Sequence, residues 1–169
     1  MSIWLDFLHL IRSRAPSTPK EGAVEASESS NFICGRCWVV DADDISVEGE
    51  RIRMAGIDAP ESNQMAERWD GTTYPQGEVV KRMLCKKIGG KHVEVRIDGT
   101  DKYNRKIGTV FLNGEDINRW MVRNGLAIAA YGDQYAQDQI VAKRLRKGMW
   151  ADKVAYDPRC WKHGERVPI

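Results

Sequence analysis

Arg51-Ile52-Arg53-Met54-Ala55-Gly56-Ile57-Asp58-Ala59-Pro60-Glu61 reads as a strand that breaks into a turn. Ile52, Met54 and Gly56 share one side of the two-residue alternation, with Arg53 on the other. Pro60 ends the run: it pushes Ala59 towards extended geometry and lacks the N–H that a sheet ladder needs. One guanidinium and two carboxylates (Arg53, Asp58, Glu61) are therefore gathered where the strand stops. Taken alone, the cluster suits a solvated strand end as well as a phosphate-binding site. The flanking segments decide.

Upstream, Phe32–Val40 reads as a strand that ends in the acidic turn Asp41-Ala42-Asp43-Asp44. Ile45-Ser46-Val47 alternates as a second strand, and Glu48-Gly49-Glu50 turns the chain into the opening stretch. Downstream, Ser62–Tyr74 is polar and reads as a surface loop. Pro75 opens a helix that buries Val80, Met83, Leu84 and Ile88 and stops at Gly89-Gly90. His92–Ile97 alternates as a strand, Asp98–Lys106 is a charged loop, and Ile107–Leu112 is a strand closed by Asn113-Gly114. Asp116 caps a short helix whose inner face is Ile117, Trp120 and Met121, ending at Asn124-Gly125. Leu126–Tyr131 forms a short buried strand. A last helix, Asp133–Lys147, buries Ala136, Ile140, Val141 and Leu145, and the tail to Ile169 is irregular. Short strands in meander order with helices inserted late predict a mainly β fold with α (α+β). The expected form is a five-stranded Greek-key barrel of the oligonucleotide-binding (OB-fold) type with about three helices.

The ends read differently. Residues 1–12 form a short amphipathic helix with Ile3, Trp4, Phe7, Leu8 and Ile11 on one face, suited to docking on a partner or a membrane surface. No basic residue precedes the apolar run, and Asp6 and His9 interrupt it, which is not the pattern of a signal peptide. Residues 13–31, with five serines, two prolines and no aromatic, are a linker. The folded domain spans 32–150, and 151–169 is the tail. No apolar run reaches the ~20 residues that a membrane span needs. The compartment stays open, and the expected state is a monomer.

The net charge of +2 does not by itself point to a nucleic-acid binder. Its distribution says more: Lys81–Lys106 holds nine bases against three acids, a stripe able to steer a polyanion. Four cysteines are too few for a disulfide scaffold. Cys34-x-x-Cys37 with Cys160-x-x-His163 has the count of a zinc site, but within one strand the odd spacing sends Cys34 and Cys37 to opposite faces.

Three charged clusters then stand at strand ends: 41–44, 53–61 and 101–105. Asp43, Asp58 and a backbone carbonyl at Ala59 are hard oxygen donors suited to Ca²⁺ or Mg²⁺, not Zn²⁺. Arg53 and Arg105 carry planar forks that match phosphate oxygens. Glu61 is placed to take a proton from water.

Val40-Asp41-Ala42-Asp43, Arg53 to Glu61, Asp101-Lys102-Tyr103-Asn104-Arg105 and Asn118 to Ala127 resemble, in order, the successive motifs of the staphylococcal nuclease (thermonuclease) family. The resemblance covers about Phe32 to Trp150. It implies a Ca²⁺-dependent phosphodiesterase that cleaves DNA and/or RNA by in-line attack of water, leaving 3′-phosphate ends. By the same resemblance Asp43, Asp58 and the Ala59 carbonyl hold the metal, with Ca²⁺ expected and Mg²⁺ or another divalent ion as the alternative. Arg53, Glu61 and Arg105 are the catalytic residues, and Lys102, Tyr103 and Tyr131 contact the nucleotide. Tyr131 reads equally as core packing at a strand end, and Trp69 reads as a possible substrate contact.

Four positions depart from the family pattern. Ala42 stands for Gly and Asp44 for Thr, the latter adding a carboxylate beside the metal; Asn104 stands for Gly and Ala59 for Thr. None removes a catalytic group. The alternative function is a non-catalytic module on the same barrel that binds nucleic acid or a protein segment.

Overall fold

The computed structural model describes residues 31–169. The helix of residues 1–12 and all but the last residue of the linker lie outside the described residues. The meander read from the sequence is present as β1 (Phe32–Asp41), β2 (Asp44–Val47) and β3 (Glu50–Met54), joined antiparallel. β7 (His92–Thr100) pairs antiparallel with β1, and β8 (Lys106–Leu112) with β7. The parallel pairing of β3 with β8, Ile52 opposite Lys106, closes the five strands into a barrel. This is the mainly β, helix-bearing OB-fold barrel that the patterning predicts.

Alternation builds the interior. Cys37, Ile45, Val47, Ile52, Met54, Val93, Val95 and Val110 are all buried inside the barrel. Helix α1 (Gln76–Ile88) closes one end with Val80, Leu84 and Ile88. Each such side chain is worth roughly 1.5–3 kcal/mol when taken out of water. Met83, expected on this buried stripe, is instead exposed, because the apolar arc of α1 is narrower than the periodicity suggested. Helix α2 (Ile117–Arg123) begins at Asp116, whose carboxylate accepts the Arg119 N–H at 2.8 Å. It buries Ile117, Met121 and Val122, leaving Trp120 partly exposed.

Three further expectations are corrected. Ser62–Tyr74 is not a plain loop: β4 (Ile57–Asp58) is followed by the paired strands β5 (Met65–Glu67) and β6 (Thr73–Pro75). Gln64 and Ala66 are buried there because the C-terminal segment covers them. After β9 (Glu115–Asp116) and β10 (Ile128–Ala129), helix α3 (Ala136–Arg144) buries Ala142, whereas Ile140, Val141 and Leu145 face outward. The aromatic Tyr135 ahead of it, hydrogen-bonded to Asp116, fills the core position instead. Nor is the tail irregular. A 3₁₀ turn at Gly148–Ala151 leads to a short helix α4 (Pro158–Trp161) capped by Asp157. Among the described residues no helix is long and apolar enough to cross a membrane.

Candidate functional site

Each charged cluster is placed by a separate piece of backbone. The acidic turn is locked by the Met54 N–H donating to the Asp43 carbonyl at 2.9 Å. Asp58 is set by β4 pairing with β10, Ile128 opposite Asp58. The 101–105 loop folds on the Asp101 carboxylate, which accepts the Tyr103 and Arg105 N–H groups at 2.9 Å and the Arg105 Nε at 2.8 Å. Asn104 adopts φ +62°, a left-handed geometry that asparagine tolerates and that takes the place of the family glycine. Ala42 has no such requirement, since the positive-φ positions do not include it.

These pieces converge on one cavity of about 770 Å³, lined by Asp43, Arg53, Glu61, Lys102, Tyr103, Arg105 and Tyr131 among others. Asp58 lies beneath its floor, fully buried. Arg53 Nη2 is 2.8 Å from Asp58 Oδ1 and 2.9 Å from Asp43 Oδ2, so one nitrogen bridges both carboxylates. Desolvation pushes the Asp43 carboxyl up to about 7; Arg53 pulls it down and the Asp58 charge pushes it further up. Two buried carboxylates thus crowd each other with a single guanidinium between them. An oxygen-seeking divalent cation suits that donor set. The backbone group of Ala59 that approaches Asp43 is its N–H, at 3.4 Å. Among the described residues no three or more His, Cys, Asp or Glu side chains are grouped for a metal. The remaining ligands of such an ion would therefore be backbone carbonyls and water.

Glu61 is half-buried, and desolvation raises its carboxyl above the ordinary value although Lys162 opposes this. Its backbone N–H is held by Gln64 Oε1 at 3.2 Å. Desolvation works against Asp101, yet its carboxyl is lowered because the Arg105 and Tyr103 N–H bonds and the Arg105 guanidinium outweigh it. Tyr131 is not core packing: it is 72% exposed at φ +57°, with its hydroxyl 3.4 Å from Asp58 Oδ2.

Asp44, expected as an extra carboxylate beside the metal, lines the same cavity with its carboxylate engaged by arginines. Its carboxylate takes a two-point contact from Arg51 at 3.1 and 2.8 Å, and Arg105 Nη1 lies 3.4 Å away. It orders the guanidiniums of β3 and of the 101–105 loop. Trp69 is also displaced from the expected role, since its Nε1–H donates to the Ala151 carbonyl away from the cavity. The basic stripe divides: Lys87 pairs with Glu115 and Arg96 with Asp98, and of its nine bases Lys102 and Arg105 line the cavity. Cys34 is exposed and Cys37 buried, on opposite faces as their spacing dictates, and all four cysteines are free.

Lys162, which the sequence did not single out, and His163, which it raised only in a zinc count, both line this cavity. Lys162 Nζ sits 2.9 and 3.1 Å from the two Asp58 oxygens and 3.9 Å from Glu61. The Asp157-Pro158 pair, a helix-start signal at N-cap and N1, was the available hint that this tail is structured.

A family model described as staphylococcal nuclease homologue matches residues 51–152. The succinoglycan biosynthesis protein ExoI of Rhizobium meliloti is 31% identical over 154 residues, covering 84% of this chain and 81% of that protein. An uncharacterized endonuclease of Escherichia coli O157:H7 is 32% identical over 136 residues, 74% of this chain and 81% of that protein. The probable staphylococcal-like nuclease CAN3 of Oryza sativa subsp. japonica is 30% identical over 128 residues, 73% of this chain but 31% of that longer protein. With its barrel, its ordered motifs and this match in view, the chain belongs to the staphylococcal nuclease homologue family.

Proposed function

We propose that this protein is a nuclease, a metal-dependent phosphodiesterase acting on DNA and/or RNA. The observation that carries the reading is the convergence of Arg53, Glu61 and Arg105 on one cavity above the Asp43–Asp58 pair. Names of similar proteins support it: the Escherichia coli relative is called an endonuclease. Asp43, Asp58 and the Ala59 carbonyl would hold a divalent ion, expected to be Ca²⁺, which would neutralise charge on the phosphate and make a water more acidic.

A phosphodiester is anionic and repels nucleophiles, so its non-bridging oxygens need cations aimed at them. Arg53 and Arg105 present such forks from β3 and from the 101–105 loop. Glu61, its carboxyl raised by desolvation, is a stronger base than a solvated glutamate and would take the proton from the attacking water. Departure of the 5′-oxygen in line with that attack leaves a 3′-phosphate and a 5′-hydroxyl. Lys102, Tyr103 and Tyr131, all on the cavity wall, would seat the flanking nucleotides.

The test is digestion of single-stranded DNA and of RNA with Ca²⁺, with Mg²⁺ and with EDTA. Cleavage is expected with Ca²⁺ and not with EDTA, and the new 5′ ends should accept kinase labelling without prior phosphatase treatment. Arg105→Ala should lower the rate by about 10²–10³-fold, and Glu61→Gln by about 10²-fold or more. Intact substrate in every metal condition would refute the enzyme. In that event binding without cleavage would support the second reading, a non-catalytic module, which the ammonium on Asp58 favours.

A further inference from the structure

The C-terminal segment is built into the site and does not merely lie near it. The Tyr156 carbonyl accepts the Gln64 Nε2–H at 2.8 Å, and Trp161 Nε1–H donates to Asn63 Oδ1 at 2.9 Å. Glu67 bridges to Val154, and Lys153 reaches the Glu67 carboxylate at 2.6 Å. Within the segment, Asp157 caps α4, Tyr156 packs on Trp161 with ring centroids 5.5 Å apart, and the Asp157 N–H bonds the Val167 carbonyl at 2.8 Å. Together these contacts fix α4 against residues 61–67, the stretch that carries Glu61. The consequence is the position of the next residue. Lys162 delivers its ammonium onto both oxygens of a fully buried carboxylate, Asp58.

Charge counting shows what this does. Asp43, Asp58 and Glu61 bring three carboxyl groups together, and the cations in contact with them are Arg53 and Lys162. Asp58 Oδ1 accepts from Arg53 and Lys162, and Oδ2 from Lys162 with the Tyr131 hydroxyl nearby. Its oxygens are therefore engaged before any ion arrives. A divalent cation at the Asp43–Asp58 pair has to take oxygens away from the ammonium and sit close to its like charge.

We infer that Lys162 is an in-chain cation for Asp58 that competes with the divalent ion, so that metal occupies the Asp43–Asp58 site only as the Lys162 ammonium leaves it. This rests on the nuclease reading for its choice of ion, but the lysine contact itself does not. Metal affinity is thereby set from the C-terminal segment. Loosening that segment, by substrate pushing past Lys162 and His163 at the cavity wall, would strengthen metal binding in the same step.

The experiment measures metal binding without nucleic acid. Ca²⁺ is titrated calorimetrically into the full chain and into Lys162→Met and Lys162→Gln, with Asp58→Asn as the control for site. Both lysine variants should bind Ca²⁺ at least about tenfold more tightly than wild type, ~1.4 kcal/mol. Saturating Ca²⁺ should also raise their melting temperature by more than it raises that of the wild type, because a tighter ligand stabilises by mass action. Equal or weaker affinity in both lysine variants overturns the inference, as does absence of binding in the wild type and both lysine variants. Binding that survives Asp58→Asn overturns it too, since the competition would then not be at that carboxylate. Tighter Ca²⁺ binding in a protein that cleaves nothing would leave this inference standing and refute the nuclease; cleavage with unchanged affinity would do the reverse.

Discussion

Asn118 shows how much a single buried amide can organise. Its Oδ1 accepts the Val110 N–H at 3.1 Å, and its Nδ2 donates to the Ala55 carbonyl at 2.8 Å and the Gly108 carbonyl at 3.2 Å. It thereby ties α2 to β8 and to the turn that leads from Arg53 to Asp58. Replacing it by alanine takes the partner from the Val110 N–H and the Ala55 carbonyl in the core, while the Gly108 carbonyl keeps the Ala55 N–H at 2.8 Å; each buried group so stranded costs ~1–3 kcal/mol. Asn118→Ala should lose at least about 2 kcal/mol in urea unfolding. Its remaining activity should fall as well, because the spacing of Arg53 and Asp58 is no longer held. Arg53 illustrates the same scale in the site: its Nη2 touches both carboxylates while its Nη1 reaches Asp43 Oδ1 at 3.3 Å, a two-nitrogen contact that a lysine would not reproduce.

At the scale of elements, two junctions place the proposed base and the competing cation. Gly77, in the first turn of α1, leaves no room for a side chain: a Cβ there would overlap the Glu61 carbonyl and lie 2.9 Å from Ser62 Cα. Gly77→Ala should therefore push the 61–64 turn outward and lower cleavage about tenfold or more through misplacement of Glu61. Its circular dichroism spectrum should still be that of the folded barrel. The other junction is Asp157, which accepts the Arg159 N–H at 2.9 Å and pairs with its guanidinium. Asp157→Ala removes a helix cap worth about 1 kcal/mol and should free α4, relaxing the grip of Lys162. The side-chain bond from Arg159 holds the Asp157 carboxyl below its ordinary value of 3.8, with desolvation opposing. A depressed carboxyl stabilises the fold above that ordinary value and loses its contribution as pH falls through the depressed one. The stability gap between wild type and Asp157→Ala should accordingly be constant above about pH 5 and close as the pH drops below ~3.8.

For the molecule as a whole, closure of the barrel is the step on which everything else depends. β8 must pair with β7 on one side and β3 on the other, and Gly108 sits at the crossing, opposite both Ile97 and Met54. A Cβ at Gly108 would stand 2.7 Å from the Arg96 carbonyl and 2.8 Å from Val95 Cγ1. Gly108→Ala should cost about 1–3 kcal/mol by overpacking and be felt at the Arg53 site as well as in the core. Chemical denaturation followed together with Tyr131 and tryptophan fluorescence checks whether site and barrel loosen together.

Most of the barrel was legible in the sequence because it rests on local rules. Local patterning and turn signals placed β1, β2, β3, β7 and β8, and Asp116 marked the start of α2. The charges of the opening stretch, Arg53, Asp58 and Glu61, were likewise visible, along with their partners Asp43 and Arg105. What failed were readings that depend on which surface a distant segment covers. The periodicity of α3 pointed Ile140 and Leu145 inward, but Tyr135 had already filled that place. Gln64 looked solvated until residues 154–161 were laid across it. Asp44 read as an extra carboxylate beside the metal, and the fold shows it held by Arg51 and Arg105. Sequence alone determined the strands, the caps and the inventory of charged groups, since backbone periodicity and turn chemistry act within a few residues. Only tertiary structure decided which charge faces which, and it brought Lys162 to Asp58 across 104 positions of chain, a pairing that no local pattern encodes.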